Sequence, residues 1–174
     1  IWLSLRPGTD GAMAMGWLNI IVNNNLYDEL FAKRWTNGPF LVCNDIEPSG
    51  YEAFRFTSGT FELKTRLLKQ SDVQEGGDPH KFLVWDNLNN RMTYFDADSG
   101  LWEGETWTPP TKGHEGMQEH LVDGVSQGWV PDPSPFNPEI DPALTGEFQV
   151  TLKDGTVSTV KPVWEYFVER VNEY

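Results

Sequence analysis

A single cysteine, Cys43, is present in 174 residues. That excludes an internal disulfide, a cysteine-rich zinc site and an iron–sulfur cluster built within this chain. Cys43 ends the apolar run Pro39–Cys43 and reads as a buried structural thiol. Histidine is nearly as scarce. His80, His114 and His120 lie in polar, Gly/Pro-rich surroundings, and His114 and His120 lack the helical spacing of a metal pair. Ser126 accompanies two of them, but there is no G-x-S-x-G elbow and no triad is assigned. No stretch approaches the roughly 20 apolar residues that span a bilayer, so direct membrane insertion is not expected. Basic residues are few: 13 against 26 acidic ones, a net charge of −13. Such a balance argues against nucleic acid or an anionic membrane surface as partner. An initiator Met is also missing. The chain opens inside an apolar run and stops inside a helical pattern, so it is expected to be a piece of a longer polypeptide.

What is present is organised around the opening. Ile1–Leu5 (IWLSL) predicts a short buried strand, Arg6-Pro7-Gly8-Thr9-Asp10-Gly11 breaks it, and Ala12–Asn23 predicts a helix. A strand, a glycine-bearing turn and a helix place helix N-terminal amides at the carboxyl end of a strand, where α/β sheets bind nucleotide groups. Asp10 offers a carboxylate suited to a ligand with two adjacent donors, such as the N1–H and N2–H₂ edge of guanine. Arg6 adds a cationic fork for a phosphate or carboxylate. A plainer reading stands beside this one: Thr9 or Asp10 is the helix cap and Arg6 its ion-pair partner.

The first helix is apolar around most of its circumference and is expected to be covered on more than one side. Asn23-Asn24-Asn25 predicts its stop. A second helix is predicted over Leu26–Trp35, with Asp28 and Glu29 in its first turn and Lys33 and Arg34 in its last. Phe40–Cys43 reads as a short strand. The stretch from Asn44 to Pro79 is turn-rich with one weakly alternating segment, Thr60–Lys69. The clearest β pattern is Lys81–Asp86 and Arg91–Phe95 around an Asn-rich turn. Leu101–Pro142 is rich in proline and glycine and reads as a long excursion. A last hairpin, Gly146–Leu152 with Thr156–Val160, turns on Lys153-Asp154-Gly155. Pro162 opens a final helix.

The long excursion carries a second constellation. Glu103, Glu105, Asp123 and Asp132 with Trp102, Trp107 and Trp129 have the ingredients of a sugar site with paired carboxylates. The alternative function is therefore an acidic, aromatic-rich carbohydrate-binding module or glycosidase fragment. No spacing singles out a catalytic pair.

The opening RPGTDGAMAMG followed by WLNIIVNNNLYDELF resembles a segment of the molybdopterin oxidoreductase family of the dimethyl sulfoxide reductase type. The likeness continues through FAKRWTNGPFLVC (Phe31–Cys43), SDVQEGGDPHKFLVWD (Ser71–Asp86), and the stretch from Pro142 to VWEYFVERVNEY. It is weakest from Glu103 to Glu139. The resemblance implies a large enzyme holding molybdenum or tungsten through two pterin guanine dinucleotides. Its cofactor would be bis-molybdopterin guanine dinucleotide, with Arg6, Pro7, Gly8, Thr9 and Asp10 at the guanine end of one pterin. The fold it implies is α/β to α+β: part of a doubly wound, Rossmann-like cofactor domain with an irregular, hairpin-rich insert. Residues 1–43 would belong to the cofactor domain, 44–161 to the insert with its long loop 101–142, and 162–174 to a helix returning to that domain. The family's metal ligand and any [4Fe–4S] cysteines would lie outside this chain, so no catalytic or metal-binding residue is carried over. The pterin cofactor is the expected partner, with room for an electron-transfer subunit. Family members occur in both periplasm and cytoplasm, which leaves location open.

Overall fold

The computed structural model describes residues 6, 8–56, 59–105, 117–122, 125–131 and 140–173. Helix α1 spans Asp10–Asn23 and α2 Glu29–Trp35. Then follow β1 (Leu41–Cys43), β2 (Ser49–Phe56), β3 (Gly59–Thr65), the short α3 (Gln70–Val73), β4 (Lys81–Asp86), β5 (Arg91–Asp96) and β6 (Leu101–Trp102). After these come β7 (Met117–Val122), β8 (Val125–Pro131), β9 (Phe148–Thr151), β10 (Val157–Pro162) and α4 (Val163–Asn172). Every ladder between these strands is antiparallel. The predicted opening strand, Ile1–Leu5, lies outside the described residues, as does Pro7.

Two three-stranded sheets form the body, β1–β10–β9 and β4–β5–β6. The segment 66–69 joins them. On one side the Leu68 N–H donates to the Leu41 carbonyl at 2.8 Å; on the other the Leu83 N–H donates to the Leu68 carbonyl at 2.8 Å. Alternation along β4 then serves two cores. Leu83 packs with Leu41, Cys43, Leu68, Val150, Leu152 and Val160. Val84, on the other face, packs with Trp102 and Ile140, beside Phe40 and Phe95.

Asp86 closes this body at the end of β4. It is fully buried. Its carboxylate accepts from the Leu88 N–H (3.0 Å), the Asn89 side-chain amide (2.6 Å) and the Asp141 N–H (2.9 Å). Burial opposes its charge, but these donors outweigh that cost and hold its pKa below the ordinary carboxylate value.

The helices attach through α4. Its first two amides, Val163 and Trp164, donate to the carbonyls of Phe40 and Gly38, both at 2.9 Å. Its last turn meets α1: Asn23 donates to the Asn172 side chain at 2.7 Å and Asn19 to the same oxygen at 3.2 Å. Val22 and Val171 are buried at that contact. The opposite side of α1 is not covered. Trp17 is 53% and Ile20 56% exposed, contrary to the cover expected for so apolar a helix.

Other expectations are refined. Asp28 is the N-cap of α2, accepting from the Phe31 N–H at 2.9 Å, so the helix starts at Glu29. The turn-rich stretch after Asn44 contains the β2–β3 hairpin. The excursion from Leu101 to Pro142 carries β6, which extends the β4–β5 sheet, and the β7–β8 hairpin. Both anticipated hairpins form, β4 with β5 and β9 with β10. Asn24 and Asn25 stop α1, with Asn25 at φ 52°.

Candidate functional site

The turn before α1 is built by backbone bonds. Both the Thr9 N–H (3.1 Å) and the Thr9 hydroxyl (2.7 Å) donate to the Arg6 carbonyl. Gly8 sits between them at φ +86°, a conformation that a side chain would strain. Thr9 occupies the N-cap position, and its carbonyl accepts the Met13 N–H at 3.1 Å. Its hydroxyl is committed backwards to Arg6 and does not cap the helix.

Asp10 is the first residue of α1 and is exposed. It makes no hydrogen bond or ion pair among the described residues, and neither does the exposed Arg6 side chain. The pairing of Arg6 with Asp10 that a purely structural turn would use is therefore not made. A Cβ built at Gly8, Gly11 or Gly16 meets nothing within 4 Å, so space lies open beside the turn and the first two helical turns. A carboxylate, a guanidinium and the free amides of a helix N-terminus thus border open space. That donor and acceptor set fits a guanine edge and a phosphate.

Three members of the sugar-site constellation, Trp102, Glu103 and Glu105, are described, and all three are engaged in the fold. Trp102 is 2% exposed and lies edge-on to Phe95 at 5.2 Å between ring centres. Glu103 accepts from Arg91 (2.7 Å) and Thr93 (2.8 Å). Glu105 accepts from Arg34 (3.0 Å) and the Trp102 N–H (2.9 Å). Glu103 and Trp102 are engaged within the sheet, and Glu105 ties it to Arg34 of α2. Trp107, His114, Asp123 and Asp132 lie outside the described residues; Trp129, His120 and Ser126 are placed there only by their strands.

Cys43 is fully buried in the first core, as its apolar run predicts. Among the described residues no group of three or more His, Cys, Asp or Glu is placed to hold a metal. No helix among them is long and apolar enough to cross a membrane. His80 is exposed and bonds Asp98 at 2.8 Å; that bond raises its pKa above the ordinary imidazole value.

Two ion pairs were not foreseen. Lys33 is 7% exposed and reaches Asp141 and Glu29, each at 2.6 Å. Burial pulls its pKa down, but hydrogen bonds to Asp141 and Glu29 prevail and raise it. Arg34 and Glu105 form a second pair, with side chains 12% and 13% exposed. Beside it a cleft of about 340 Å³ is lined by Trp35, Asn37, Phe40, Phe95 and Trp102. Both cations stand in the last turn of α2, where a sequence gives only a helix-dipole preference; apart from Glu29, the acids they meet, Asp141 and Glu105, are far along the chain.

No family model matches the chain. Curated relatives do. A dopamine dehydroxylase of Eggerthella lenta is 49% identical over 195 residues, covering 99% of this chain and 19% of its own length. The perchlorate reductase subunit alpha of Dechloromonas aromatica (strain RCB) is 28% identical over 172 residues, 98% of this chain and 15% of that protein. The dimethylsulfide dehydrogenase subunit alpha of Rhodovulum sulfidophilum is 26% identical over 151 residues, 86% and 11% respectively. The chain thus spans a fifth or less of the length of these relatives. With similarity running through the whole chain to enzymes of this type, it belongs to the dimethyl sulfoxide reductase-type molybdopterin oxidoreductase family.

Proposed function

We propose that this chain is a segment of a molybdenum- or tungsten-dependent oxidoreductase and that its opening turn contacts the guanine end of one pterin guanine dinucleotide. The observation that carries this reading is Asp10: an exposed carboxylate without a partner among the described residues, on a turn fixed by Gly8, beside open space. A carboxylate there accepts two guanine donors at once, a pairing an amide cannot copy because it offers one acceptor and one donor. Arg6 and the first amides of α1 complement phosphate charge. When bound, the cofactor supplies the redox chemistry; this chain's part is to hold and orient its nucleotide tail.

The same reading places α1 and α2 in a doubly wound cofactor domain, with 44–161 as an insert and α4 returning to it. The α4–α1 contact supports that return. The metal ligand, and any [4Fe–4S] cluster, belong to polypeptide beyond these residues. Two relatives are named as alpha subunits, which supports an electron-transfer subunit as partner.

The test is Asp10→Ala and Asp10→Asn in the full-length protein, assayed for molybdenum and released guanine nucleotide. Loss of two hydrogen bonds to a charged acceptor is worth about 2–3 kcal/mol, and we expect cofactor retention to fall more than tenfold in both variants. Unchanged metal and guanine content would overturn the assignment.

A further inference from the structure

Lys69 is 3% exposed and holds an unusual place among the buried cations. Lys33 meets two carboxylates, and Arg34 meets one. Lys161, about a quarter exposed, also meets two. Lys69 meets none within ion-pairing distance among the described residues, in a chain with twice as many acidic as basic residues. Its ammonium donates to the Ser49 hydroxyl at 2.7 Å, and among the described residues its other two donors meet no partner. Ser49 faces Thr65 directly across the first rung of the β2–β3 ladder, so their side chains share one side of the hairpin. The Thr65 hydroxyl is itself buried without a hydrogen-bond partner.

A buried ammonium without a counter-charge is costly, and an orphaned buried hydroxyl adds to that cost. We propose that Ser49, Thr65 and Lys69 form an oxyanion site at the base of the β2–β3 hairpin that takes a phosphate group. The donors come from three residues and from two chemical types, an ammonium and two hydroxyls. A tetrahedral phosphate offers enough oxygens to engage each of the three donors separately. The phosphate has two sources of the same chemistry: a free anion, or a phosphate carried by a resident nucleotide.

The test uses the full-length protein with Lys69→Met, which keeps the length of the side chain without its charge, and Thr65→Val, which keeps its shape. The unfolding midpoint is titrated with inorganic phosphate at constant ionic strength against chloride. A free anion gives a saturable rise in the wild type, with the apparent Kd raised about tenfold or more in Lys69→Met and several-fold in Thr65→Val. A resident phosphate gives no titration. Instead, Lys69→Met releases one equivalent of phosphorus less than wild type on acid denaturation, with molybdenum content unchanged. If neither the titration nor that isolated deficit is observed, the proposal is overturned and Lys69 is left as an anchor of the hairpin. Should Lys69→Met fail to fold, Thr65→Val decides by the same two readings.

Discussion

The two ends of α4 touch regions of opposite character. At its start lies the β body, whose cores are closed: Leu41, Cys43, Val84 and Val160 are all fully buried. At its end lies α1, followed by α2, where Trp17, Ile20, Leu26, Leu30 and Phe31 are between 46% and 66% exposed. A body with two three-stranded sheets, two cores and its own buried acid satisfies itself. The helix pair keeps much of the apolar surface of a buried element open: among the described residues α4 covers one side of α1, and Asp141 and Glu105 tie down the last turn of α2.

The contrast can be broken first at Asp86. Asp86→Ala removes the acceptor for three donors, two of them backbone amides, and should destabilise the β body by about 3 kcal/mol or more. Hydrogen exchange at Leu88 and Asp141 in the full-length protein reads this locally; protection unchanged at both would mean the hub is dispensable. Next in size, Leu83→Ala should cost about 2–5 kcal/mol as a core truncation. Ile20→Ala sharpens the contrast. In the full-length protein it should cost over 1 kcal/mol by urea unfolding if α1 is covered there, against less than about 0.5 kcal/mol for a solvated site.

Acid and alkali should separate the two regions as well. Asp86 has a lowered folded pKa. Its contribution is present above the ordinary carboxylate pKa and is lost as pH falls through the folded value, so the β body should open first in acid. Lys33 has a raised one. Its contribution is complete below the free lysine value and is lost as pH rises through the folded value, so the α2–Asp141 tie should loosen only in strong alkali. Exchange protection of α2 followed against pH checks both. The smallest effect is expected at His80, an exposed group whose raised pKa confines its contribution to the acidic side. His80→Gln should leave the unfolding midpoint nearly unchanged at pH 8.

What a sequence reader can see follows this division. The hairpins β4–β5 and β9–β10 are legible because their cues are local: apolar runs, an Asn-rich turn, and Gly155 at φ +87°. The opening turn is legible for the same reason, since Arg6 through Asp10 are consecutive. The joining role of segment 66–69 is not, because it is held by backbone bonds to Leu41 and Leu83, neither of which its own residues announce. Lys33 reads as a solvated helix end; its burial depends on Asp141, 108 residues away. The Ser49–Thr65–Lys69 cluster is likewise invisible until β2 and β3 pair. Exposure of the α1 face departs from a pattern that marks it as apolar: among the described residues nothing packs on Trp17 and Ile20 deeply enough to bury them.

Ladder β1–β10 joins Leu41 to Pro162, and α4 begins with its amides on Gly38 and Phe40. The chain thus leaves and re-enters the helical layer at one gate. Once that gate is shut, closure entropy depends only logarithmically on what is strung between: each doubling of length costs about 0.6 kcal/mol. Extra residues added between 44 and 161 need not shift the turn at Arg6–Asp10. The stretch between β1 and β10 can therefore diversify in length and surface while the opening turn stays put, which lets evolution change one without retuning the other.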